Sequence, residues 1–113
     1  MNNSEANDLL TILETIKNCF KNENIRFTLH ALDEMAEEDI ETNDIIDAVA
    51  SGQILENYPE HLRGACCLIG GLTQRGRNIH IVCTTTLQPV IIITVYEPKP
   101  PKWITPTQRR QIK

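Results

Sequence analysis

Aromatic side chains are scarce in this sequence: one Trp, two Tyr and two Phe make up 4% of 113 residues. Proteins that bind RNA or single-stranded DNA without sequence preference stack bases on aromatic platforms, so an acidic chain with so few fits that class poorly. No apolar run approaches the roughly 18 residues of a membrane span. The segment MNNSEAND is polar and acidic and lacks the basic-then-apolar order of a signal peptide. We therefore expect a cytoplasmic protein with no membrane partner. The cysteines, Cys19, Cys66, Cys67 and Cys83, include no C-x-x-C pair, which argues against a zinc site built on cysteine. The adjacent Cys66 and Cys67 point to opposite faces of a strand, and four reduced thiols are expected. A glycine-rich phosphate loop, a G-x-S-x-G turn and an H-E-x-x-H helix are also missing.

What is present divides sharply by charge. Residues 1–62 carry three basic and fourteen acidic side chains, a net −11, while residues 63–113 carry eight basic ones and only Glu97 as an acid, a net +7. Such asymmetry points to one anion-binding surface and one acidic surface, or to halves that neutralise each other within one fold.

The length suits one domain, and the pattern of apolar residues changes character midway. Leu9, Leu10, Ile12, Leu13, Ile16 and Phe20 recur at helical spacing, predicting a helix over about 8–21 capped by Asn7 or Asp8. Ile25-Arg26-Phe27 reads as a short extended link. Thr28 is an N-cap for a second helix over 29–38. A third, over 43–51, begins at Thr42 or Asn43 and is stopped by Gly52 at the C′ position. After Gly52 the period becomes two. Strands are expected over 53–58, 63–72, 78–85 and 90–97, with turns at 73–77 and at Thr86-Leu87-Gln88-Pro89. Their short connections predict an antiparallel meander. The expected architecture is an α+β fold with N-terminal helices packed on a four-stranded antiparallel sheet. It forms a single domain over residues 1–103, followed by a polar tail over 104–113.

In that register Ile79, Ile81 and Cys83 match Ile91, Ile93 and Val95 as the buried set. His80, Thr94 and Tyr96 then share an open face, beside Val82 and Ile92. His30 stands at a helix N-terminus, where the macrodipole lowers the pKa of an imidazole, although Asp33, Glu34 and Glu37 oppose that effect. Arg75 and Arg77 flank Gly76 in a tight turn, and two guanidinium forks there suit a phosphate. The spacing of His30, Asp33 and Glu37 is that of an ordinary solvated helix face, and no metal or other cofactor is expected.

The strings RFTLHALDEMAEEDIETNDIIDAVASGQILENYP, GACCLIGGLTQRGRNIHIVC and VIIITVYEPKPPKW carry an H-A-x-x-x-M helix, a gR-x-x-H-x-V strand and an I-T-x-Y-x-P…W ending. Over about residues 26–103 this combination resembles a widespread bacterial domain family of unknown function. Its genes often stand beside MqsA-like zinc-finger antitoxins, and the family is related in outline to the RelE-, MqsR- and colicin-type ribonuclease toxins. The resemblance implies helices followed by a four-stranded antiparallel sheet. It places the family's polar motif residues on His30, Arg77, His80, Thr94 and Tyr96. Glu34 and Glu38 depart from the pattern, since relatives often carry arginine there.

The function so implied is that of a metal-independent endoribonuclease, the toxin of a type II toxin–antitoxin pair. Its partners would be RNA and a cognate antitoxin of zinc-finger or helix-turn-helix type. His30 or His80 would act as base, and Arg77, helped by Arg75, would hold the phosphate. Tyr96 or the other histidine would assist the leaving oxygen, and Thr94 would position. The rival is a non-catalytic interaction module whose acidic helices hold a basic partner.

Overall fold

The computed structural model describes residues 3–86 and 88–110, with side chains from residue 8 onward. The elements among them are α1 (Asn3–Lys21), β1 (Ile25–Phe27), α2 (Leu29–Glu38), α3 (Thr42–Ser51), β2 (Gln53–Tyr58), β3 (Cys66–Leu72), β4 (Asn78–Thr84), β5 (Val90–Tyr96), β6 (Trp103–Thr105) and β7 (Gln108–Arg109). None of these helices is long and apolar enough to cross a membrane.

The α+β class holds, but the main sheet has five strands and is mixed, not four and antiparallel. Its order is β1-β5-β4-β3-β2, with β6 and β7 forming a separate two-stranded sheet. The fifth strand is the Ile25–Phe27 link, which pairs in parallel with Val90–Ile92. Three residues carry no readable period, and their pairing lies more than sixty positions away. Of the expected turn before β5, Leu87 lies outside the described residues.

The helix boundaries follow local chemistry. Thr28 caps α2 by accepting the Ala31 N–H at 3.0 Å. The cap of α3 is Glu41, in a reciprocal capping box with Asp44, and not Thr42 or Asn43. At its other end Gly52 is extended (φ −87°), not left-handed. Glycine stands there for space: a Cβ on Gly52 or on Gly71 would overlap the Ala48 carbonyl oxygen, so α3 lies directly on β3. Ser51 Oγ fastens the same junction, donating to Leu72 O and accepting from Leu72 N, each at 3.0 Å. The first helix runs through both expected caps; the Asn7 side chain lies outside the described residues.

The core lies between the helices and the inner face of the sheet. Ile16, Phe20, Ala31, Ile45 and Val49 meet Cys67, Ile69, Ile79, Ile81 and Cys83 there. Strand β5 contributes Val95, as expected, but then Ile92 and Val90, whereas Ile91 and Ile93 are only half-buried. The reason is a bulge. Ile81 pairs with Val95 and Val82 with Thr94, but Cys83 pairs with Ile92, so Ile93 is the extra residue and the alternation inverts. Beyond it, Thr84 Oγ1 accepts the Ile91 N–H at 3.0 Å.

Strand β1 covers only half of β5. Along the other half α2 takes the edge, and Glu34 and Glu38 supply its missing acceptors. A Glu34 carboxylate oxygen takes the Val95 N–H at 3.0 Å, and Glu38 takes the Glu97 N–H at 3.1 Å. Carboxylates four apart on a helix thus match N–H groups two apart on a strand. Glu34→Ala should cost about 1–3 kcal/mol in urea denaturation, because a strand N–H loses a charged acceptor. Exposed Glu37→Ala on the same helix should stay within about 0.5 kcal/mol. All four cysteines are buried as free thiols, so they should react slowly with a thiol reagent in the native protein and fully after denaturation.

Candidate functional site

Residues expected as a polar tail instead form the β6–β7 hairpin, which folds back across the outer face of the sheet; residues 111–113 lie outside the described span. The hairpin brings Trp103, Pro106 and Arg109 onto groups that β2, β4 and β5 project from that face.

His80 is the centre of this contact. It is 1% exposed and does not stand on an open face as expected, because the hairpin covers it. Its ring meets Trp103 edge-on at 4.4 Å between centroids and Tyr96 at 5.2 Å. Gly70, paired with His80 across β3 and β4, leaves room for two side chains, since a Cβ there would sit 2.7 Å from Leu55 Cδ1 and 3.3 Å from the imidazole. The Nε2 atom lies 2.6 Å from the Pro106 carbonyl oxygen, and Nδ1 lies 3.1 Å from the Tyr96 hydroxyl. A carbonyl can only accept, so Nε2 carries the proton and the Tyr96 hydroxyl donates to Nδ1. Burial pushes the His80 pKa below its ordinary value; the Pro106 hydrogen bond opposes this, Arg109 adds to it and Glu56 opposes it.

A carboxylate and a guanidinium complete the cluster. Arg109 donates to both oxygens of Glu56 at 2.8 Å, and its guanidinium lies 4.7 Å from the Trp103 ring centroid. That fork holds the Glu56 carboxyl below the usual range. Tyr58 donates its hydroxyl to Glu56, and burial together with that carboxylate pushes its pKa up to about 12. Burial raises Tyr96 as well.

The other expected site residues lie elsewhere. Thr94 donates to Glu34, and Glu34 also pairs with His30 at 3.2 Å, so His30 and Thr94 meet through a carboxylate on the sheet edge. Arg77 is a structural tie. It donates to the Glu38 and Asp39 carbonyls at 2.7 Å, closing the C-terminus of α2, and to Glu97 at 3.3 and 3.2 Å. Arg75 is 71% exposed at its side chain and approaches Asp44 at 3.5 Å. His80 and Tyr96 are therefore brought together, while His30, Thr94, Arg75 and Arg77 are not part of that cluster. Glu56 and Arg109 join it unanticipated. Glu56 was legible as a lone acid on an edge strand, but Arg109 sits in a segment with no apolar periodicity. Among the described residues no group of three or more His, Cys, Asp or Glu side chains is arranged to hold a metal ion.

The class defined by these features is an α+β domain with a covered imidazole–phenol–guanidinium–carboxylate cluster on the sheet face opposite its helices. The chain belongs to the family of the Domain of unknown function (DUF4258), which matches residues 27–97. The first helix and the hairpin lie outside that span. No curated protein and no solved structure matches the chain.

His80→Ala should cost about 2–4 kcal/mol in stability, since it opens a cavity and orphans two hydrogen-bonding groups. The pH dependence has a definite sign. His80 titrates near 6.5 when unfolded and lower when folded, so the unfolded chain binds more protons between those values. Stability should therefore fall as pH drops below about 6.5. In His80→Gln, denaturation midpoints compared at pH 7.5 and 5.5 should show a smaller fall.

Proposed function

We propose that the outer face of the sheet is a metal-independent, RNA-cleaving acid–base site that the β6–β7 hairpin covers in this conformation. The observation that carries this reading is the convergence of His80, Tyr96, Tyr58, Glu56 and Arg109 on one face. The motif resemblance, and not the geometry, supplies the further reading of the chain as the toxin of a pair with a protein antitoxin.

The chemistry follows from the protonation states. Lifting only the turn between β6 and β7, with Arg109 left on the face, removes the Pro106 carbonyl from Nε2, and the proton then moves to Nδ1, which donates to the Tyr96 oxygen. Nε2 becomes a free lone pair on the imidazole, which even uncovered is mostly neutral at pH 7 because histidine ordinarily titrates near 6.5, and it is suited to take the proton of an RNA 2′-hydroxyl. The 2′-oxygen attacks the adjacent phosphorus, and the bond to the 5′-oxygen breaks. Tyr96 and Tyr58 both stay protonated at neutral pH, and either phenol supplies the proton the 5′-oxygen needs. Arg109, exchanging Glu56 for the phosphate, stabilises charge on the phosphoryl oxygens. It takes the place that sequence reasoning gave to Arg77.

A non-catalytic interaction module is the second reading. It is favoured by the internal pairing of Arg77, Arg109 and His80, whose polar groups are engaged within the fold in this conformation. Purified protein incubated with single-stranded RNA and EDTA decides between them. The catalytic reading expects cleavage that leaves 2′,3′-cyclic phosphate ends and that falls about 100-fold or more in folded His80→Gln. No cleavage, or cleavage unchanged in that variant, would favour the module.

A further inference from the structure

At one end of the covered face lies a cleft of about 370 Å³. Gly52, Gly70 and Gly71 expose backbone along one side of it, and the hairpin turn, through Pro106 and Thr107, forms another. His80 is also part of its lining, so whatever occupies the cleft lies beside the imidazole. The volume is within the usual range of small-ligand pockets, about 300–1,000 Å³.

The polar groups of the lining are neutral. Gln53 and Asn78 each present a carboxamide, and Thr107 a hydroxyl. His80 is kept uncharged by its burial, and no lysine, arginine or carboxylate takes part. Arg77, next in sequence to Asn78, is turned away toward Glu97 and the end of α2. A phosphate needs cationic or clustered N–H donors, which this lining does not supply. Carboxamides offer a donor and an acceptor side by side, the complement of a nucleobase edge. Pro106 and Leu72 add apolar surface for the face of a ring.

We propose that this cleft binds a single uncharged nucleobase, held at its edge by Gln53 and Asn78. The proposal rests on reading the outer face as an RNA-cleaving site: the base would be held by the sheet side of the cleft, Gln53, Gly70 and Asn78, which stays in place when the Pro106 turn lifts, and it would set which base flanks the bond that His80 acts on. Phosphate would be held by Arg109, outside the cleft.

The test is an NMR titration of the full-length, ¹⁵N-labelled protein with adenosine, inosine, cytidine and uridine in turn, and with inorganic phosphate. Saturable shifts at the amides of Gly70, Gly71, Asn78 and Thr107 are expected with at least one nucleoside and not with phosphate. Thr107 is exposed on the hairpin turn, so Thr107→Trp should fold normally while filling the mouth of the cleft, and should weaken nucleoside binding about tenfold or more. No shift with any nucleoside, the same shifts with phosphate, or unweakened binding in folded Thr107→Trp would each overturn the proposal. Cleavage measured alongside separates the two ideas. RNA cleavage without nucleoside binding defeats the cleft and leaves the catalytic reading, whereas nucleoside binding without cleavage supports the cleft and defeats the catalytic reading.

Discussion

Strand β4 is covered on both faces, and most of the molecule follows from that constraint. Its inner residues, Ile79, Ile81 and Cys83, are fully buried under the helices and need only apolar company. Its outer residue His80 is buried as well, and a dry polar side chain must have partners. Tyr96 supplies one from the neighbouring strand, and the Pro106 carbonyl supplies the other from a segment 26 residues away. A histidine that is neutral, fixed in one tautomer and roofed by an indole results from this double burial. The same constraint brings Arg109 down onto Glu56, because the hairpin that roofs the histidine carries the arginine with it.

The helical half was largely readable from the sequence because its signals are local. The second helix runs over the expected 29–38, and the third starts one residue earlier than expected because Glu41 and Asp44 form its box. The switch of period at Gly52 marks the change to strands, although this glycine is required by the nearness of Ala48 and not by a left-handed turn. What escaped was non-local. The bulge at Ile93 leaves no trace in a run of isoleucines and valines, yet it decides that Ile92 and not Ile91 enters the core. Likewise Ile25–Phe27 becomes a strand only because β5 is there to receive it.

The candidate site was half legible for the same reason. His80 interrupts an apolar strand and Tyr96 follows it on the paired strand, so alternation found both. Glu56 and Arg109 acquire meaning only through each other, across 53 positions. Conversely, Arg77 looked free in a turn but serves as a tie for the end of α2, and Glu34 and Glu38 looked like lost cations but serve as acceptors for a strand edge. The opposite charges of the two halves partly meet within one fold, through half-buried Arg109 with Glu56 and, at the surface, Arg75 with Asp44. That is the neutralising alternative which charge alone left open.

The parallel pairing of β1 with β5 bears on how the molecule comes into being during synthesis. Residues 25–27 have no strand to join until residues 90–92 exist, although β2, β3 and β4 can already pair with one another before β5 arrives. Contacts of such long sequence separation close late, after local helices have formed. The cluster on the outer face is later still, since Arg109 and Pro106 follow every strand of the main sheet. A nascent chain would therefore bring His80 beside Tyr96 when β5 joins β4, and Pro106 and Arg109 would reach that face only afterwards. Until they do, His80 stands on the outer face of the sheet without its cover.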